Sequence, residues 1–182
     1  MARTLADAFA DDPGLSWIIP DASERKARLP DFFGPMVRGA IDYGLALRSA
    51  GNEAVTLWRL PGRIHPGFFE TMRALPQLRK ALGDGGQRAR LMGDTLKDHA
   101  PDFAYWYLQF VGVHPEAQGT GLGSAAIRAG LEQAEGAGLP VYLEAAKAEN
   151  VAIYRKLGFR ITQEWDIPDG GPHFWGMLRD RT

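Results

Sequence analysis

Apolar positions along the chain change period several times, and each change marks an element. In "ARTLADAFA" (2–10), Leu5, Ala8 and Phe9 share one helical face, and "DDPG" ends the segment. "WIIP" (17–20) reads as a loop anchored in the core. From Glu24 to Tyr43, Leu29, Phe32, Phe33, Met36, Val37, Ala40 and Ile41 recur at helical spacing, against the breaking tendency of Pro30 and Pro35. "LALRS" (45–49) and "AVTLWRL" (54–60) have strand character, and "AGNE" between them signals a hairpin. Residues 61–102 are cut by Pro61, Pro66, Pro76, Gly85, Gly86 and Pro101 into short helical pieces. They predict a helical insertion, either a lid beside a substrate site or a solvated appendage.

The last third is the most regular. "FAYWYLQFVGV" (103–113) is apolar on both faces, which predicts a central strand covered on both sides. "GLGSAAIRAGLEQAEGAG" is helical, with Gly123, Ile127, Gly130, Leu131 and Ala134 on one side and Arg128, Glu132 and Glu135 on the other. "VYLEA" (141–145) is a strand. "NVAIYRKLG" (150–158) is a helix stopped by Gly158. "FRITQEWDI" and "HFWGMLR" are strands joined by "PDGGP". Strands and helices in this order predict an α/β fold with a mixed sheet, as one domain over residues 1–182 with the insertion at 61–102.

Composition narrows the function classes more than the fold. Hydrophobic residues make up 45% and charged residues 24%, and the net charge is −1. Residues 1–100 carry 14 basic and 12 acidic groups, and residues 101–182 carry 7 and 10. Neither part is a basic footprint, so nucleic acid is not an expected partner. The absence of cysteine excludes disulfides and thiolate metal sites. His65, His99 and His173 are scattered without ligand spacing, so no metal is expected. No signal-like start and no apolar stretch of membrane-spanning length are visible, so the expected location is cytoplasmic, away from membranes.

The chemistry concentrates in "HPEAQGTGLGSAAIRAG" (114–130), where Gly119, Gly121 and Gly123 precede a helix. Such a turn can cradle a phosphate. A P-loop is excluded, because no lysine accompanies Ser124 after Gly123. The dinucleotide fingerprint is matched formally by Gly121, Gly123 and Ala126, with Glu144 at the end of the next strand. Yet "HPEAQGT" separates Val113 from Gly121, whereas fingerprint glycines sit in the turn that leaves the strand. Too little chain also remains for the further βα units of a doubly wound fold.

The third pattern is Q-x-x-G-x-G at Gln118, Gly121 and Gly123, following Val113 and Pro115. It resembles the acyl-CoA-binding segment of the GCN5-related N-acetyltransferases. "NVAIYRKLGF" resembles that family's following segment, with Asn150, Tyr154, Gly158 and Phe159 in register. "WGMLRD" resembles its last strand, and "LADAFADDPGLSWIIPD" the opening helix and loop of many members. The resemblance implies a mixed, mostly antiparallel sheet with splayed central strands flanked by helices. Family domains usually begin with a strand, but this sequence opens with "ARTLADAFADDPG": either the first strand is missing, or the start is late, or the sheet edge is completed otherwise. An open edge strand would favour a homodimer.

The resemblance also implies roles. Acetyl-CoA is the cosubstrate. Backbone N–H groups of Gln118, Gly119, Thr120, Gly121, Leu122, Gly123 and Ser124 are candidate pyrophosphate donors, because a loop entering a helix supplies free donors and a favourable dipole. The backbone of Phe110, Val111 and Val113 pairs with the pantetheine arm. Asn150, expected at the helix N-cap, contacts that arm or only caps. Tyr154 protonates the departing thiolate, or is a half-buried helix tyrosine. Glu144 is the nearest carboxylate for a general base, or an exposed strand end. Tyr105, Tyr107 and Gln109 line the acceptor site or pack in the core. His114 shapes the turn. The expected activity is N-acetyl transfer to a primary amine of a small molecule or peptide. The alternatives are a non-catalytic acyl-CoA-binding domain and a nicotinamide-dependent oxidoreductase. The basic residues of the insertion, Arg63, Arg73, Arg79, Lys80, Arg88, Arg90 and Lys97, point to an anionic group on the acceptor or to a solvated face.

Overall fold

In the computed structural model, which describes residues 1–181, one six-stranded sheet with order β1-β2-β3-β4-β6-β5 carries helices on both faces. The chain enters through α1 (Ala2–Ala8), α2 (Pro13–Ile18) and α3 (Ala22–Tyr43), then forms the hairpin β1 (Gly44–Arg48) and β2 (Ala54–Arg59). The insertion holds α4 (Phe68–Leu82) and α5 (Gly86–Asp98). There follow β3 (Trp106–Val113), α6 (Leu122–Gly136), β4 (Val141–Ala145), α7 (Ala148–Lys156), β5 (Arg160–Asp166) and β6 (His173–Arg179). Among the described residues only β3 and β4 run parallel; every other neighbouring pair is antiparallel. This is the expected mixed, mostly antiparallel sheet, and the described chain opens on a helix. Among the described residues no helix is long and apolar enough to cross a membrane.

The two faces of the sheet bury different cores. Ile127, Leu131 and Ala134 of α6 and Val151 of α7 pack on Trp58, Leu108, Leu143 and Met177. On the other face, Leu5 of α1, Leu15 and Ile18 of α2, and Leu29, Phe33 and Ala40 of α3 pack on Val55 and Leu57. Close approach fixes α6: a Cβ on Gly130 would stand 2.1 Å from Cζ2 of Trp58, so only glycine lets this helix seat on β2. The same logic seats α1 on β3, where a Cβ on Gly112 would meet Leu5 and Ala8.

Three differences from the sequence pattern have physical causes. Only Ile19 and Pro20 of "WIIP" are loop; Trp17 and Ile18 end a short helix, because Asp12 caps it by accepting from Leu15 N–H at 3.0 Å, with Pro13 at its first position. Helix α3 runs through Pro30 and Pro35 because its buried face binds it to the sheet. The insertion forms two full helices despite Pro76. Helix α4 is tied to α3 by Arg38 to Gln77 (2.6 Å) and Lys80 to Asp31 (3.1 Å). Helix α5 is tied to α2 by Arg88, which donates to Ile18 O at 2.8 Å.

Candidate functional site

β3 and β4 pair only at Trp106–Val141 and Tyr107–Tyr142. Beyond them the strands part, so the edge of β3 that faces β4 loses its ladder partner. On its other edge β3 pairs with β2 throughout, with one irregularity: Leu57 faces Phe110 and Trp58 faces Leu108, which leaves Gln109 as an extra residue. Such a bulge bends the strand locally and increases its twist.

The glycine segment sits at the end of this gap. His114 starts a short 3-10 turn, its Nδ1 accepting from Glu116 N–H at 3.4 Å, which is the turn-shaping role expected of it. Gln118 donates from Nε2 to Val113 O at 3.2 Å and ties the loop back to β3. Its own N–H goes to Pro115 O, so it is not a free donor. From Gly119 to Ser124 no N–H has a hydrogen-bond partner among the described residues; the first helical bond is Ala125 N–H to Gly121 O, at 3.0 Å. Gly121 stands at the helix N-cap with φ +86°, in left-handed backbone that strongly favours glycine. The loop thus presents a run of unpaired donors at the start of a 15-residue helix.

A cavity of about 960 Å³ joins loop and gap, near the upper size of ligand pockets. Val111, Val113, Gln118, Gly119, Gly121, Leu122, Gly123 and Ser124 line it, as do Asn150 and Tyr154 of α7. Phe110 and Thr120 do not. The Phe110 ring stands edge-on to Phe9 and Phe33 in the opposite core, and Thr120 Oγ1 donates to Ala117 O at 2.7 Å. Asn150 is not the cap of α7; Lys147 precedes the helix, and Asn150 lies within its first turn.

Tyr154 is half-buried against Phe159, and its hydroxyl makes no hydrogen bond among the described residues. Burial, and then the nearby charge of Asp12, push its pKa up to about 12, so the phenol is protonated at neutral pH. Glu144 does not line the cavity. It belongs to a polar patch with Tyr107 and Tyr142, next to Tyr105. Burial raises its carboxyl to about 7, against the opposing pull of the neighbouring Tyr107 and Tyr142 hydroxyls. Gln109 is drawn away from both groups toward Arg59, which donates to it at 3.4 Å and pairs with Glu70 of α4 at 2.5 Å.

Several lining residues were not found from sequence. Arg128, Lys147 and Lys156 bring positive charge to the cavity from α6, from the turn before α7 and from α7 itself. The local scarcity of bases in the glycine segment concealed this. Arg128 was legible as a residue one turn beyond Ser124 on the same helix. Asp12 also lines the cavity; "DDPG" reads as a helix terminator, and a capping aspartate looks the same. The insertion's bases are largely engaged elsewhere: Arg73 pairs with Asp42 at 3.7 Å, Arg90 with Asp94 at 3.5 Å, and Lys80 and Arg88 as described. No group of three or more metal-ligating side chains is found among the described residues.

An open sheet whose parallel pair parts beside a loop of free amides is an acetyltransferase architecture, and comparison with known proteins agrees. The acetyltransferase (GNAT) family profile matches residues 89–159, which carry β3, the glycine loop, α6, β4 and α7. A Schizosaccharomyces pombe protein described as an uncharacterized N-acetyltransferase is 32% identical over 170 residues, covering 87% of this chain and 68% of the relative. A Streptomyces coelicolor mycothiol acetyltransferase is 43% identical over 60 residues, covering 31% of this chain and 19% of that protein. A Corynebacterium glutamicum crystal structure, described as histone acetyltransferase HPA2 and related acetyltransferase, superposes with TM-score 0.69 at 27% identity, covering all of this chain and 89% of that one. The chain belongs to the GNAT family and is an acetyltransferase.

Proposed function

We propose that the protein transfers the acetyl group of acetyl-CoA to a primary amine of a small molecule or peptide, with residues 1–182 acting as one acyltransferase domain. The observation that carries this reading is the coincidence of two features in one cavity. The unpaired N–H groups of 119–124 suit a pyrophosphate, and the unpaired β3 edge beyond Tyr107 suits a pantetheine arm lying as an added strand. Arg128, Lys147 and Lys156 supplement the amides with charge.

The amine nitrogen attacks the thioester carbonyl, the C–S bond breaks, the thiolate leaves with a proton from the Tyr154 hydroxyl, and the phenolate recovers a proton from the newly acylated nitrogen. A phenol with pKa near 12 reaches the sulfur still protonated. Glu144 takes the proton of the acceptor ammonium. A carboxylate near 7 suits a base working at neutral pH, and its place outside the cavity lining requires a water between it and the amine.

The test is free thiol release from acetyl-CoA against a panel of amines, amino acids, polyamines and aminoglycosides. Amine-dependent release with at least one class supports the proposal. Tight acetyl-CoA binding without release from any member would instead mark a non-catalytic acyl-CoA-binding domain.

A further inference from the structure

Within the reading of the cavity as an acetyl-transfer site, one of its lining groups has no role so far. Asp12 lines the cavity with Phe9, Pro13, Tyr154 and Lys147. One carboxylate oxygen, Oδ1, is used to cap α2 by accepting from Leu15 N–H at 3.0 Å. The other has no hydrogen bond and no ion-pair partner among the described residues. The loop that carries it is held from both sides. Arg25, a buried guanidinium on α3, donates to Ala10 O at 2.6 Å, to Ile19 O at 2.7 Å and to Pro20 O at 3.0 Å. Arg88 of α5 holds Ile18 O. This carboxylate is therefore fixed in position before any ligand arrives.

We infer that Asp12 is the acceptor-binding carboxylate of the cavity, and that its free oxygen takes the ammonium group of a cationic amine beside Tyr154. Three titratable neighbours bear on it. Burial raises the Asp12 carboxyl above its ordinary value, and the charge of Lys147 and, more weakly, that of Arg25 oppose this. Tyr154 is neutral at working pH and adds no repulsion. Lys147 forms no ion pair with Asp12, so the free oxygen is open to a ligand. The inference also favours a cationic over an anionic acceptor, consistent with the engagement of the insertion's bases elsewhere.

Asp12→Asn separates this role from the structural one, because asparagine caps a helix as well as aspartate while carrying no charge. Wild type and Asp12→Asn, each saturated with CoA, are titrated with n-hexylammonium and, separately, with the neutral analogue 1-hexanol. The expected result is at least ten-fold weaker hexylammonium binding in the variant, unchanged 1-hexanol binding, and melting temperatures that agree within a few degrees. Equal hexylammonium affinity in both proteins, or no binding to either, overturns the inference and leaves Asp12 as a cap alone. Failure of CoA to bind wild type would overturn the acetyl-transfer reading instead, so the two failures are distinguishable.

Discussion

Tyr107 and Tyr142 are the last residues at which β3 and β4 are paired, and their rings stack at 6.3 Å on the face opposite α6. Up to this pair the sheet is continuous. Past it, β3 has a free edge and the cavity begins. Both tyrosines neighbour Glu144 and influence its carboxyl, so the closed end of the gap and the titrating carboxylate lie together.

Gly121→Glu is expected to weaken acetyl-CoA binding by about two orders of magnitude, or roughly 2.7 kcal/mol, measured by calorimetry. The substitution puts a charged side chain at the mouth of the amide nest and forces left-handed backbone on a non-glycine residue. The backbone strain alone costs about 1–2 kcal/mol of stability. Gly62→Glu, at φ +77° with open space around it and away from the cavity, should show that stability loss without the loss of binding.

Tyr154→Phe is expected to cut turnover ten-fold or more while acetyl-CoA affinity stays within about two-fold, since acid–base contributions are typically about 10²–10⁴. Single-turnover thiol release against binding by calorimetry separates the two. Wild-type turnover in the variant would remove Tyr154 from the mechanism.

Glu144 predicts a pH dependence of stability with a definite sign. Its folded pKa, about 7, lies above the ordinary carboxylate value, so the folded state holds this proton more tightly than the unfolded one. The stabilisation is fully present below about pH 4.5, declines as pH rises, and is gone above about pH 7. At about 1.36 kcal/mol per unit, the loss across that window is roughly 2–3 kcal/mol. Urea unfolding of Glu144→Gln from pH 4.5 to 8 should lack this decline.

Gly130→Ala is expected to destabilise by about 1–3 kcal/mol, because the added methyl would overlap the fully buried Trp58 ring. A lower urea midpoint with an unchanged slope would show it, and an unchanged midpoint would mean that α6 is free to shift on β2.

The fold was legible where one period dominates a segment. Ile127, Gly130, Leu131 and Ala134 mark the buried face of α6, and β4 falls on 141–145 as its apolar run indicates. It was least legible where a capping residue and a breaking residue coincide, as at Asp12 and Pro13, and where prolines are overruled by packing, as in α3. The glycine loop was legible because positive φ and close backbone approach demand glycine at fixed spacing. The lining side chains Asp12, Arg128, Lys147 and Lys156 come from four separate places along the chain. No local spacing announces their meeting, which the sheet order alone brings about.

The central claim is that the cavity between β3, the glycine loop and α7 binds acetyl-CoA. Calorimetric titration of wild type with acetyl-CoA, and in parallel with NADH, tests it most directly. The expected result is saturable one-to-one binding of acetyl-CoA and none of NADH. Absence of acetyl-CoA binding, or binding of NADH in its place, would contradict it.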